Sequence, residues 1–213
     1  MDVRKSGAQQ IHPAARDCLC SANCIKSKLG MGAIGIRKTT VSDASSIAQV
    51  HVSSWQTTYR GIISAEYLDS LTHEKQHNFW LDILTEMHES HFVYLAEDDQ
   101  GKGIGFVAGG PERTGDPIYK GELYSMYVIK DYQAKGIGTA LFRRASTELT
   151  LLNMPSMILW VLTRNPYRKF YEKMGGQETR SRLVRIGIRE YEEIAYGWQN
   201  LTDYLNVNTQ IAP

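Results

Sequence analysis

The sequence predicts an α/β fold built on one mixed, twisted sheet of about seven strands, with helices on both faces. Three observations carry this. Short apolar runs of strand length recur at 92–96, 104–108 and 157–162. Helical spacing runs from Ala44 to Trp55 and again, more clearly, through Leu141, Ala145, Leu149 and Leu152. The two textures alternate in the order strand, helices, three strands, helix, strand, helix, two strands, which suits a mixed sheet covered on both sides.

Residues 34–38 read as the first strand. Thr40, Ser42 and Asp43 then offer capping oxygens for a helix whose stripe is Ala44, Ile47, Ala48, His51, Val52 and Trp55. Tyr59, Arg60 and Gly61 break that helix. Residues 64–71 form a short second helix, and 72–87 a longer one carrying Phe79, Trp80, Ile83 and Leu84. A hairpin at 92–96 and 104–108 turns through Asp98, Asp99, Gln100 and Gly101. A Gly/Pro loop at 109–117 leads to a strand at 122–129. After the amphipathic helix come a strand at 157–162, a short helix at 165–174 and closing strands at 182–188 and 191–198. One domain is therefore expected at 34–198. Residues 1–33 have neither helical nor strand periodicity and read as an irregular N-terminal extension. Residues 199–213 read as a polar tail.

Composition narrows the function classes. A chain of 213 residues suffices for one well-buried core, and 42% apolar with 22% charged residues is ordinary for a soluble protein. A formal net charge of +1 gives no whole-protein attraction to nucleic acid or anionic lipid, so neither is expected as a partner. No apolar run reaches membrane-spanning length, and no apolar segment follows Arg4 and Lys5 as a signal peptide requires. Cys18, Cys20 and Cys24 cluster in the extension instead of spreading through the fold, which suits a reducing cytoplasm better than a disulfide framework. With only His12 nearby, their spacing matches no zinc pattern, and no metal is expected.

The chemistry concentrates at Gln133, Ala134, Lys135, Gly136, Ile137, Gly138 and Thr139, between a strand and a helix. Two glycines two apart allow a tight turn and clear side chains from an approaching ligand. Free amides at the helix start and the helix dipole favour an anion there. Lys135 adds a cation at the rim. This is a pyrophosphate seat. The P-loop signature needs a longer glycine spacing and a Lys-Ser/Thr pair. The dinucleotide fingerprint fails because Leu141 stands at its third glycine.

Gln133-x-x-Gly136-x-Gly138, after the strand Leu-Tyr-Ser-Met-Tyr-Val, resembles motif A of the GNAT superfamily of N-acetyltransferases. The run from Asn165 to Gly176, with Phe170-Tyr171-Glu172-Lys173, resembles that family's motif B. Trp55 to Ile63 resembles a stretch in many bacterial members. The resemblance covers about 34–198. It implies the GNAT fold, in which the fourth and fifth strands splay to form a cofactor cleft. It also implies acetyl-CoA-dependent transfer to an amine by direct attack in a ternary complex, in the cytoplasm, and it admits a homodimer.

The resemblance assigns roles by position. Met126, Tyr127 and Val128 would bond the pantetheine arm through their backbone, Gln133 and residues 134–139 would hold the pyrophosphate, and Asn165 would contact the cofactor. Tyr171 would protonate the departing thiolate, a role the chemistry independently requires. Glu122 would take the amine's proton, directly or through water, with Tyr124 on the same side of its strand. Each has a plainer reading. Asn165 with Pro166 suits a helix start. Glu122 suits a strand-end charge, and Tyr171 a core aromatic. Trp55 and Tyr59, four apart on one helix face, would pack together whether or not they border an acceptor pocket.

Two other functions stay open at this point. One is an acyl-CoA-binding module without catalysis. The other is a zinc hydrolase, because His73-Glu74-x-x-His77 matches the zincin pattern. Such a site needs a third protein ligand, and the surrounding helix is polar.

Overall fold

The computed structural model describes residues 24–25 and 34–209. Eight strands form one sheet: β1 (Cys24–Ile25), β2 (Ile34–Lys38), β3 (Phe92–Glu97), β4 (Gly103–Pro111), β5 (Gly121–Val128), β6 (Met157–Leu162), β7 (Gln177–Ile186) and β8 (Arg189–Trp198). Their spatial order is β1-β2-β3-β4-β5-β6-β8-β7, and β5–β6 is the parallel pair. The helices are α1 (Ala44–Thr58), α2 (Ala65–Ser70), α3 (His73–Thr85), α4 (Ile137–Leu151), α5 (Lys169–Lys173) and α6 (Leu201–Thr209).

Two apolar layers sandwich the sheet. On one face α1 and α3 bury Ile47, Ala48, Trp80 and Leu84 against Val93, Leu95 and Phe106. On the other, the predicted α4 stripe of Leu141, Ala145 and Leu149 packs with Phe142 onto β2–β6 and β8. Each such fully buried side chain contributes roughly 1.5–3 kcal/mol. The continuous burial along β3 and β4 follows from this: both faces are covered, so both residue sets are buried. At the front edge, the Arg37 guanidinium donates to both Asp43 and Glu97, tying β2 to the start of α1 and to β3. That guanidinium, helped by the Thr40 amide and hydroxyl, holds the Asp43 carboxyl down at about 2.

β7 begins at Gln177, five residues before the expected 182, and four further boundaries differ from the sequence reading, each for a physical reason. Cys24 and Ile25 pair antiparallel with Gly35 and Ile34, adding a strand too short to show a period of two. Residues 1–23 and 26–33, including Cys18 and Cys20, lie outside the described residues. β4 runs on through Gly109 and Gly110, which read as a loop. A Cβ on Gly109 would lie 2.7 Å from the Phe92 ring, so glycine serves close packing here and not turning. Residues 165–168 form a turn, and α5 begins only at Lys169. The supposed tail forms α6, which docks on α4: Leu201 is fully buried, and the Tyr204 ring meets Phe142 edge-on at 5.2 Å.

Among the described residues no helix is long and apolar enough to cross a membrane.

If α6 belongs to the core, Leu201→Ala should cost about 2–5 kcal/mol, the range for emptying a buried leucine site. Urea unfolding of the two proteins measures it. A loss below about 0.5 kcal/mol would make α6 an appendage, since exposed sites cost no more than that.

Candidate active site

β5 and β6 pair over only three residues: Gly121 with Met157, Glu122 with Ile158, and Leu123 with Leu159. Beyond Leu123 they part. On its other side β5 stays bonded to β4 as far as Val128, after a bulge at Ala108/Gly109 that leaves Tyr124 without an opposite residue. The backbone of 124–128 therefore has one edge turned to a gap. That gap is a small cavity of about 50 Å3 whose walls include Tyr59, Leu159, Val161 and Tyr171.

At the far end of β5 the chain turns into α4. Gln133 Nε2 donates to the Val128 carbonyl at 2.9 Å, clasping the turn. Ala134 has φ 58° and Gly136 φ 84°, and Gly136 forms the N-cap of α4. The positive φ at Ala134 is sparsely populated for a side-chain-bearing residue. No side chain caps α4, so its leading amides stay available to a ligand. These residues floor a cleft of about 580 Å3, with Met126, Tyr127 and Val128 along one wall and Ser54 and Thr58 of α1 along another. Lys169 and Lys173, one turn apart on α5, face it from the far side. Ser54 Oγ is buried with no hydrogen-bond partner. An orphaned hydroxyl, uncapped amides and two lysines fit a long ligand carrying a diphosphate.

The two glycines of the turn do different work. Gly136 needs its positive φ. At Gly138 a Cβ would meet only the Phe170 ring, at an ordinary 3.6 Å. The protein's own packing therefore leaves room for a side chain at this border of the cleft, and does not itself call for a glycine.

A family model described as "Acetyltransferase (GNAT) domain" matches residues 89–175. The "Uncharacterized N-acetyltransferase YuaI" of Bacillus subtilis (strain 168) is 31% identical over 169 residues, covering 79% of this chain and 95% of that protein. The chain belongs to the GNAT acetyltransferase family. The spermidine N(1)-acetyltransferase of Thermoplasma acidophilum is 28% identical over 145 residues, or 67% of this chain and 87% of that one. The crystal structure of the PaiA N-acetyltransferase of the same organism, in complex with coenzyme A, superposes with a TM-score of 0.59 at 24% identity over 78% of this chain and 99% of that one. The GNAT fold expected from the sequence, with parted fourth and fifth strands (β5 and β6 here), is the fold observed.

The predicted site residues divide into groups. Met126, Tyr127, Val128, Gln133, Ala134, Gly136, Gly138 and Thr139 come together in the cleft. Ile137 turns its side chain into the core, 1% exposed, leaving only its backbone for a ligand. Lys135 Nζ lies over the Tyr132 ring at 5.3 Å and is not part of the cleft wall. Asn165 donates to the Tyr59 hydroxyl at 3.1 Å and accepts from the Tyr167 amide at 2.8 Å, linking the end of α1 to the turn before α5. Tyr171 stands in the gap between the parted strands, where burial, and then neighbouring Tyr59, raise its pKa well above the usual tyrosine range. Burial likewise pushes Tyr59 up to about 12, with Asn165 opposing.

Glu122 is 2% exposed, and both its carboxylate oxygens accept hydrogen bonds from the Arg113 guanidinium. The Tyr124 hydroxyl donates to the Pro111 carbonyl at 2.6 Å. Trp55 meets Tyr59 edge-on at 5.0 Å. In the zincin-like motif, His73 Nε2 lies 3.1 Å from the Ser45 carbonyl oxygen, and its ring stacks on His77. Among the described residues no three His, Cys, Asp or Glu side chains gather as a metal site.

Sequence reasoning missed Ser54, Thr58, Lys169 and Lys173. The lysines carried a signal, two cations at i and i+4 beside the motif. The α1 residues carried none, since Ser54 reads as a break in an apolar stripe. It also missed His51, which stacks on Tyr127 at 5.3 Å and accepts from Trp80 Nε1 through Nδ1 at 3.1 Å. Burial holds the His51 pKa down at about 4.

Two predictions follow from this geometry. Gly138→Ala should leave the melting temperature unchanged or raise it, because alanine favours a helix by about 1 kcal/mol over glycine. It should also weaken coenzyme A binding by about tenfold or more, as read by calorimetry. For His51, the folded state resists the proton that the unfolded chain accepts near pH 6.5. Its stabilising contribution is therefore full above that pH and is lost as pH falls toward 4, a loss of about 3 kcal/mol. Denaturant unfolding at pH 7, 5 and 4 should show this slope, flattened in His51→Phe.

Proposed function

We propose that this protein is an acetyl-CoA-dependent N-acetyltransferase that moves the acetyl group directly to a primary amine. The observation that carries the reading is the three-residue pairing of β5 with β6, followed by a gap that opens onto the uncapped start of α4. The gap has the shape for an extended arm, and the helix start suits its diphosphate. Backbone groups of 126–128 bond the arm, Ser54 Oγ takes one of its polar atoms, and Lys169 and Lys173 offset phosphate charge.

Acetyl-CoA supplies an activated acyl carbon. The amine nitrogen bonds to that carbon and the C–S bond breaks, giving an amide and the free thiol. Tyr171 donates its phenolic proton to the leaving sulfur and recovers one from solvent. Its raised pKa keeps the phenol protonated, and so able to donate, at neutral pH. A β5 amide on the open edge stabilises the carbonyl oxygen as it gains charge. Glu122 receives the amine's surplus proton through water. Glu122 Oε1 accepts one bond from Arg113 and keeps a second lone pair for that water.

Direct transfer needs no acyl-enzyme, and no cysteine occurs between Ile34 and Pro213 to carry one.

Tyr171→Phe tests the assignment. It should lower kcat by about 100-fold, the usual scale for a lost general acid, while the dissociation constant for acetyl-CoA changes by less than about threefold. Thiol release and calorimetry give the two numbers. Unchanged turnover would remove Tyr171 from the mechanism.

A further inference from the structure

A second chamber, about 570 Å3, is lined by α1, α3 and strands β3–β5, with a residue set that shares only Tyr127 with the cofactor cleft. Tyr127 borders the cleft, the gap and the chamber, and Tyr124 and Ser125 border both gap and chamber. A molecule held there therefore adjoins the gap by a route separate from the cofactor's.

Rings dominate its walls: His51, Trp55, Phe79, Trp80, Phe92 and Tyr127. Phe79 is 49% exposed, an apolar surface left open where α3 meets the chamber. His51 behaves as another uncharged ring. Its Nδ1 lone pair is taken by the Trp80 indole N–H, and one face lies on Tyr127. The wall carries little negative charge to hold a polycation: among the described residues Glu86 is its one carboxylate, and Arg113 stands among its lining groups. Glu122 is charge-paired with Arg113. The two ammonium groups that spermidine keeps while its third amine reacts would share one further wall acid, Glu86.

We propose that this chamber receives the acceptor, and that the acceptor is a primary monoamine carried on an apolar body of aromatic size. The inference rests on the acetyltransferase reading above and gives it a substrate class. The body stacks among the rings, and the amino group leads past Tyr124 and Ser125 toward the acyl carbon. Spermidine, the substrate named for the Thermoplasma acidophilum relative, fits this wall poorly.

The experiment compares 2-phenylethylamine, hexylamine and spermidine by thiol release from acetyl-CoA, and by quenching of fluorescence from the chamber's Trp55 and Trp80. It uses the full chain and Phe79→Gln, an exposed-site change on a helix that keeps helix propensity. Phenylethylamine should exceed spermidine at least about tenfold in kcat/KM. Phe79→Gln should raise the phenylethylamine KM about fivefold or more, the loss expected for one ring of apolar contact, and leave the acetyl-CoA KM within about twofold. Equal or better use of spermidine, or an unmoved phenylethylamine KM in Phe79→Gln, overturns the chamber assignment and leaves the transferase reading standing. Quenching by phenylethylamine that Phe79→Gln weakens, with no thiol release for any amine, upholds the chamber and sinks the transferase reading. Neither quenching nor release overturns both.

Discussion

Two parallel strands that stop sharing hydrogen bonds after three residues create the need that the rest of the site answers. Backbone groups inside a protein require partners, and a sheet normally supplies them. Here β5 bulges at Tyr124 and parts from β6 while β4 keeps its hold, so one edge of 124–128 is left open in the middle of a folded domain. The opening cannot collapse, because bulky groups occupy it from both sides. Tyr59 and Tyr171 fill part of the gap, and Asn165 ties Tyr59 to the loop after β6. A ligand with its own amides is what such an edge lacks.

The start of α4 answers a second requirement. Its amides are uncapped, and the turn leading to them carries Ala134 in a conformation that costs a side-chain-bearing residue of order 1 kcal/mol or more. The Gln133 clasp on Val128 and the burial of Ile137 hold that turn in place. In its second turn α4 is gripped by α6 through Phe142 and Tyr204. The helix start proposed as the anion seat is thus held from several sides, which suits a site whose geometry must exist before the ligand arrives.

Much of this was readable in the residue string, and the limits have physical causes. The glycine pair at 136 and 138, the stripe along α4 and the Phe170–Lys173 run are local patterns, and local patterns place the cofactor cleft. The chamber is not local. It draws two or three residues each from α1, α3, β3, β4 and β5, and apart from Trp55 and Tyr124 none of them carries a local pattern that sets it apart. Only the assembled protein shows that Phe79 looks outward while Trp80 beside it is 3% exposed. Gly109 and Gly110 misled in the other direction. Glycines in series suggest a loop, yet here they remove side chains where Phe92, His91 and Tyr124 press against the strand. The helical tail was missed because its few apolar residues, led by Leu201, gain meaning only against α4. The H-E-x-x-H match shows how a five-residue pattern can arise on a helix that packs for other reasons.

The placement of Tyr127 has a thermodynamic corollary. One residue borders the cleft, the gap and the chamber, so occupants of cleft and chamber share a neighbour. If loading one compartment shifts or stiffens that residue, affinity in the other changes. By linkage the factor is identical in both directions. A single partition between two ligands thus makes them mutual effectors, with no need for a separate regulatory site.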